Sequence, residues 1–271
     1  MKVLNILQQV TLGTLRLAYA LWVLLAFLAA GVAVLVLLLL LPRVSGRRRA
    51  ARAAARTFLK LAGMPLTVRG LERLASGQCI VVSNHASYLD GLVFTAALPA
   101  RFGFVIKREM SAVPLAGLFL RRIGSEFVER FERNRGAADA RRVLRNAASG
   151  HSLVFFPEGT FTRTPGLLKF HTGAFVTATR AGCPVIPAVV RGTRAALSPT
   201  GSLPRPGRIE IEILPPIGAQ PQPGEASSAA LRDRARQAIL LALGEPDLTC
   251  SGDSARPPHT GPARSARASR P

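Results

Sequence analysis

The chain has 271 residues, 48% of them hydrophobic, enough for one good-sized core once a membrane segment and a tail are set aside. Lys and Arg number 36 against 15 Asp and Glu, a formal net charge of +21, which points to an anionic partner: nucleic acid, a phospholipid surface or a phosphorylated substrate. The three cysteines, Cys79, Cys183 and Cys250, have the spacing of neither a disulfide framework nor a metal site and read as reduced thiols in a domain facing the cytoplasm.

From Leu17 to Pro42 no residue is charged. As a helix this stretch reaches about 39 Å, enough to cross a hydrocarbon core with tilt. It reads as a membrane segment that either spans or, with a break at Gly31, dips into one leaflet as a hairpin. A signal peptide fits less well, because no small-residue cleavage site closes the run. Between Arg43 and Lys60 there are seven basic residues and no acid, whereas only Lys2 and Arg16 precede the apolar run. The positive-inside rule therefore puts the downstream domain in the cytoplasm, against the cell inner membrane. Arg49, Arg52, Arg56 and Lys60 share one helical face opposite Ala51, Ala55, Phe58 and Ala62, the pattern of a basic amphipathic helix at anionic head groups.

Beyond these, strand-like runs at Cys79–Ser83, Phe102–Lys107, Ser125–Arg130, Ser152–Phe156, Val185–Arg191 and Arg208–Leu214 alternate with helical patterns. The helices are expected at Gly91–Ala97, Leu115–Ile123, Ala137–Ala148, Thr172–Ala181 and Ser227–Leu243. This alternation predicts an α/β fold, a mostly parallel sheet flanked by helices, behind an N-terminal membrane helix or helical hairpin. Four regions are expected: a membrane segment over 1–42, a basic juxtamembrane helix over 43–74, the α/β domain over 75–245 and a disordered basic tail over 246–271.

Two short motifs follow strands. In Asn84-His85-Ala86-Ser87-Tyr88-Leu89-Asp90 a carboxylate lies five residues after a histidine. If a helix begins just after the histidine, the carboxylate comes back within reach of the imidazole, fixes its tautomer and leaves the other nitrogen free to take a proton. Taken alone the pair could equally be a surface contact or half of a metal site, although no second ligand stands at metal spacing. In Phe156-Pro157-Glu158-Gly159-Thr160 a glycine turn ends a strand, with Arg163 and Lys169 close behind. Such a turn suits an anion, or its Glu and Thr merely cap the next element.

Taken together with Lys107, Pro114, Gly117, Gly124, Phe127, Arg130 and the run Pro184-Val185-Ile186-Pro187, these motifs resemble the glycerophospholipid acyltransferase family, in particular its bacterial 1-acyl-glycerol-3-phosphate acyltransferases. The resemblance covers residues 75 to 192. It implies acyl transfer from acyl-CoA or an acyl-carrier protein to the free hydroxyl of lysophosphatidic acid, with no metal or prosthetic group. It makes His85 the general base and Asp90 its orienting partner. It places Asn84, Lys107, Arg130, Glu158, Gly159, Thr160 and Arg163 at the substrate. The Pro184–Pro187 block is read as packing.

One departure from the family pattern stands out: many members carry arginine after Glu-Gly-Thr, and here the residue is Phe161. Arginine grips phosphate bidentately and a neutral ring cannot, so another lysophospholipid or a lyso-ornithine lipid is the alternative acceptor. A thioesterase or lipid hydrolase could use the same dyad with water. A nucleic-acid binder is disfavoured because the basic residues are not interleaved with stacking aromatics. The apolar stretch from Met110 to Leu120 reads either as a contact for an acyl chain or as a core helix.

Overall fold

The computed structural model describes residues 2–129, 143, 145, 147, 150–199, 203–218 and 228–249. Helix α1 (Lys2–Leu40) is continuous through Gly31, so the chain does not fold back there. It turns instead at Leu41–Arg43, and α2 (Val44–Leu61) runs back along α1. Tyr19 donates its hydroxyl to Ala62 O (2.7 Å) and Trp22 its Nε1–H to Leu61 O (2.9 Å), fixing the register of the pair.

The α/β elements follow in order: β1 (Leu66–Arg69), β2 (Ile80–Ser83), α3 (Asp90–Ala97), β3 (Phe102–Lys107), α4 (Ala116–Arg122), β4 (Glu126–Val128), β5 (Ser152–Phe155), α5 (Gly173–Ala181), β6 (Val185–Arg191), the single turn α6 (Thr193–Ala196), β7 (Ile209–Ile213) and α7 (Ser228–Leu243). Seven strands form one sheet in the order β1-β7-β6-β2-β5-β3-β4. Every neighbouring pair is parallel except β6–β7.

The central strands explain themselves. Ile80-Val81-Val82 and Val185-Ile186-Pro187-Ala188-Val189-Val190 are continuous apolar runs, as strands covered on both faces require. Val81, Ile186, Ala188 and Val190 share one apolar cluster with Phe58 of α2 and Phe94 of α3, which also takes in Val23 and Ala26 of α1. Ile80, Val82, Val185 and Val189 meet Phe175 of α5 and Leu231 and Ile239 of α7. A satellite cluster joins Val34 and Leu38 of α1 to Ala51 and Ile123, with Phe119 and Leu120 of α4 against it.

Three sequence expectations change. The sheet begins at Leu66, inside the stretch assigned to the juxtamembrane helix: Leu66-Thr67-Val68-Arg69 pairs with Ile209–Glu212 as an edge strand. Residues 246–249 belong to the fold rather than to a tail, because Asp247 takes Arg236 in an ion pair and Leu248 N–H donates to Leu167 O (3.1 Å). The basic face of α2 does not simply look outward: Arg52 and Arg56 donate to Ala96 O at 3.3 and 2.9 Å, and Arg52 also to Ala97 O. These carbonyls close α3, and guanidinium groups there complement the negative end of its dipole. Arg49 and Lys60 stay exposed. The expected helix over 137–148 falls largely outside the described residues.

Candidate active site

β2, β5 and β3 lie side by side and parallel, so the segments leaving them gather at one edge. Open α/β sheets bind ligands at this carboxyl edge. His85 leaves β2, Glu158 leaves β5, and Lys107 ends β3.

The geometry of the dyad comes from the start of α3. Asp90 opens the helix, is fully buried, and its Oδ2 reaches back to accept the backbone N–H groups of Ala86 (2.6 Å) and Ser87 (2.9 Å). This is a carboxylate at a helix N-terminus, where orphan amides and the dipole both favour it. The same oxygen receives His85 Nδ1–H at 2.7 Å. With two other donors on Oδ2, Asp90 acts as the acceptor, so Nδ1 carries the proton and Nε2 is the basic nitrogen. Asp90 Oδ1 has no hydrogen-bond partner among the described residues. The His85 side chain is 20% exposed.

Glu158 holds this arrangement from beneath. Its Oε1 accepts His85 N–H (2.6 Å) and its Oε2 accepts Leu168 N–H (2.8 Å), with the residue 4% exposed. Burial pushes its carboxyl up to about 7, against the two amides and the nearby Arg194 guanidinium. Both oxygens are engaged by the backbone, which ties Glu158 to the position of His85. Asn84 is likewise committed: its Nδ2 donates to Val190 O (3.0 Å) and its Oδ1 accepts Val190 N–H (2.8 Å). Its side chain carries the β2–β6 pairing one step past the end of β2.

The second turn closes on itself. Gly159 has φ of 75° and its N–H donates to Phe156 O (3.0 Å), which leaves that amide facing inward rather than toward an anion. Thr160, Arg163, Lys169 and Lys107 are exposed. Among the described residues no hydrogen bond or ion pair joins Lys107 or Arg163 to the dyad. Arg130 lies outside the described residues.

What the sequence reading missed is a column of rings. Phe156 stacks on the His85 imidazole (4.5 Å, 23°), with Phe94 edge-on behind it, and Phe161 stands edge-on to the other side of the imidazole (4.5 Å, 71°). Tyr88 meets Phe161 in turn (4.8 Å, 90°). The signal was present, since Tyr88, Phe156 and Phe161 sit inside or beside the two motifs, but only the fold places them on the same histidine. The two cysteines within the described residues, Cys79 and Cys183, are buried and unpaired, and burial pushes the Cys183 thiol up to about 11.

The fold and this geometry define a candidate general-base catalyst built at the carboxyl edge of an α/β sheet. Comparison with known proteins agrees in kind. A family model described as Acyltransferase matches residues 65–191. The 1-acyl-sn-glycerol-3-phosphate acyltransferase of Saccharomyces cerevisiae is 30% identical over 161 residues, 58% of this chain and 53% of that protein. The lyso-ornithine lipid O-acyltransferase of Pseudomonas aeruginosa is 31% identical over 202 residues, 67% of this chain and 74% of that one. The crystal structure of the 1-acyl-sn-glycerophosphate (LPA) acyltransferase PlsC from Thermotoga maritima superposes with a TM-score of 0.68 over 90% of this chain and 98% of that one, at 22% identity, a likeness of fold. The chain belongs to the glycerophospholipid acyltransferase family. It spans about half the length of the plant chloroplast and yeast relatives it matches.

Proposed function

We propose that the protein is a membrane-associated O-acyltransferase that moves a fatty acyl group from acyl-CoA or acyl-carrier protein to the free hydroxyl of 1-acyl-glycerol-3-phosphate. The observation that supports this most is the His85–Asp90 pair, whose Nε2 makes no hydrogen bond among the described residues. Nε2 takes the proton of the acceptor hydroxyl as its oxygen attacks the thioester carbonyl. The tetrahedral intermediate collapses to the ester and expels the thiolate, which recovers the proton from Nε2. General-base help of this kind is worth about 10²- to 10⁴-fold.

The membrane reading follows from α1. Its inner side chains from Tyr19 to Leu38 pack with α2 and, at Val34 and Leu38, with Ile123 and α4, while Leu17, Leu21, Leu24, Leu25, Leu28, Val32 and Val36 are exposed. Packed on α2 along this face and on α4 near its end, α1 is held beside the domain, which supports a helix lying along a membrane rather than standing away from it. The reading that fits is a helix lying within one leaflet, on the cytoplasmic face of the inner membrane, with Arg43, Arg49 and Lys60 available to head groups. A lysolipid is held at that depth.

Phe161 favours a second reading of the acceptor. The ring stands against His85 where many relatives hold arginine, which suits a lysolipid whose head group is not a bare phosphate, such as a lyso-ornithine lipid. Purified protein in vesicles, given each lysolipid with each labelled thioester, decides: the proposal expects diacyl product, favouring lysophosphatidate. Free fatty acid released equally without acceptor would instead identify a hydrolase.

A further inference from the structure

Between β3 and α4 the chain makes a fixed apolar tip. Arg108–Ala112 is a 3₁₀ turn, and Val113, Pro114 and Leu115 lead into α4. Val113 is 42% exposed, Leu115 68% and Leu118 37%. The tip is not loose. A Cβ on Gly117 would lie 2.3 Å from Ser111 O, so the turn sits directly on the start of the helix. Arg121 donates to the same Ser111 carbonyl (2.8 Å), and Gly117 N–H and Phe119 N–H close turns onto Val113 O and Leu115 O, both at 2.8 Å.

Leu115 has φ of 60°, and among the described residues no other non-glycine residue has a positive φ. A γ-branched apolar residue held in that region and turned outward is a strained feature, and such features collect at working surfaces. Singly exposed leucines are ordinary, whereas contiguous apolar surface marks an interaction site. Here three exposed apolar side chains, Val113, Leu115 and Leu118, fall within one short segment. Phe119 and Leu120, on the opposite side of α4 from the tip, pack on Val34 and Leu38 of α1, whose outer face shows Val32, Val36, Leu37 and Leu39. The tip thus leads into the helix that packs on the C-terminal part of α1, just past Lys107 at the end of β3. Lys107 and Arg121 are exposed around it, with Glu109 the one exposed acid in that segment.

We infer that the Val113–Leu118 tip is a second membrane contact, inserting into the same leaflet as α1 and seating the mouth of the His85 site on a bilayer containing anionic lipid. This rests on the membrane reading of α1 given above. An apolar tip ringed by basic side chains is the composition that binds such a surface. Two separated contacts also fix the tilt of the domain, which a single helix lying in the leaflet leaves free to roll.

A fluorescent probe tests it. In full-length protein with Cys250→Ser, and Cys79 and Cys183 left buried, one cysteine is introduced at a time by Leu115→Cys, Leu25→Cys or Arg180→Cys and labelled with nitrobenzoxadiazole. Vesicles are equal parts phosphatidylglycerol and phosphatidylethanolamine, with or without doxyl-labelled lipid. The inference expects the labels at 115 and 25 to brighten, by about threefold, and to be quenched by doxyl lipid, while the label at 180, on the opposite face of the sheet, does neither. A label at 25 in lipid with that at 115 in water overturns this inference and leaves the membrane reading standing. Both in water overturns the two together. As a second readout, the double variant Val113→Asp/Leu115→Asp should lose about tenfold in turnover of lysolipid embedded in vesicles and keep wild-type turnover of a short-chain lysolipid dissolved as monomer; equal loss on both substrates contradicts the inference.

Discussion

The ring of Phe161 meets that of His85 edge-on, centroids 4.5 Å apart. Phe161 shares the imidazole with the stacked Phe156 and steadies it, and we propose that its lack of charge also bears on acceptor choice. Aromatic edge contacts of this type are each worth about 1 kcal/mol beyond burial, enough to narrow the rotation of a half-open histidine.

Replacing this ring separates the two effects. Phe161→Arg should raise the ratio of kcat/KM for lysophosphatidate over lyso-ornithine lipid by about tenfold, since a guanidinium engages phosphate through two charge-assisted hydrogen bonds. Phe161→Leu should leave that ratio unchanged and lower kcat for both. Parallel kinetics on the two acceptors read both outcomes, and a ratio that Phe161→Arg does not move would remove Phe161 from acceptor choice.

Glu158 gives a pH prediction with a definite sign. Its folded carboxyl sits at about 7, above its ordinary 4.5. Between those values the folded chain keeps a proton that the unfolded chain has released. The contribution of this group is therefore fully present below about pH 4.5 and is lost as pH rises to about 7. Melting temperatures of wild type and Glu158→Gln, followed from pH 5 to 8, should show the wild type losing ground to the variant as pH rises. Glu158→Gln should also cut kcat by about tenfold or more, because the amide nitrogen that replaces one oxygen cannot accept the His85 or Leu168 N–H.

Arg48 fastens the helical pair to the sheet domain. Its Nε–H donates to Ile123 O (2.8 Å), its Nη1 to Arg101 O (2.9 Å) and its Nη2 to Gly124 O (3.1 Å), and burial pulls its pKa down. Arg48→Ala leaves three carbonyls short of a charged donor and should destabilise the protein by about 3 kcal/mol. Arg49→Ala, one residue on and exposed, should change stability by less than about 0.5 kcal/mol. Denaturant unfolding of both variants checks the contrast.

The sequence carried the parallel core and the dyad because both are local. Val81, Val82 and the Val185–Val190 run announce strands buried on two faces, and Asp90 lies one short turn from His85. What it hid depends on partners far along the chain. The bond of Asn84 to Val190 and that of Glu158 to the His85 amide appear only once β6 and β2 lie in place. β1 was hidden for the same reason: four residues with alternating burial become a strand only when β7 supplies the ladder. The arginines of α2 read as membrane-facing because helical spacing shows which residues share a face and not that the carbonyl end of α3 lies opposite that face. The Met110–Leu120 stretch divides the two readings offered for it: Phe119 and Leu120 are core, whereas Leu115 and Leu118 face outward.

The account stands on proton abstraction by His85 Nε2 under the direction of Asp90. Its most direct test is single-turnover formation of diacyl product by purified wild type, His85→Ala and Asp90→Asn in vesicles, with folding monitored by circular dichroism. Chemistry should slow by about 10²-fold or more in both variants while acceptor KM and the folded signal hold. Product formed at the wild-type rate by folded His85→Ala protein would contradict it.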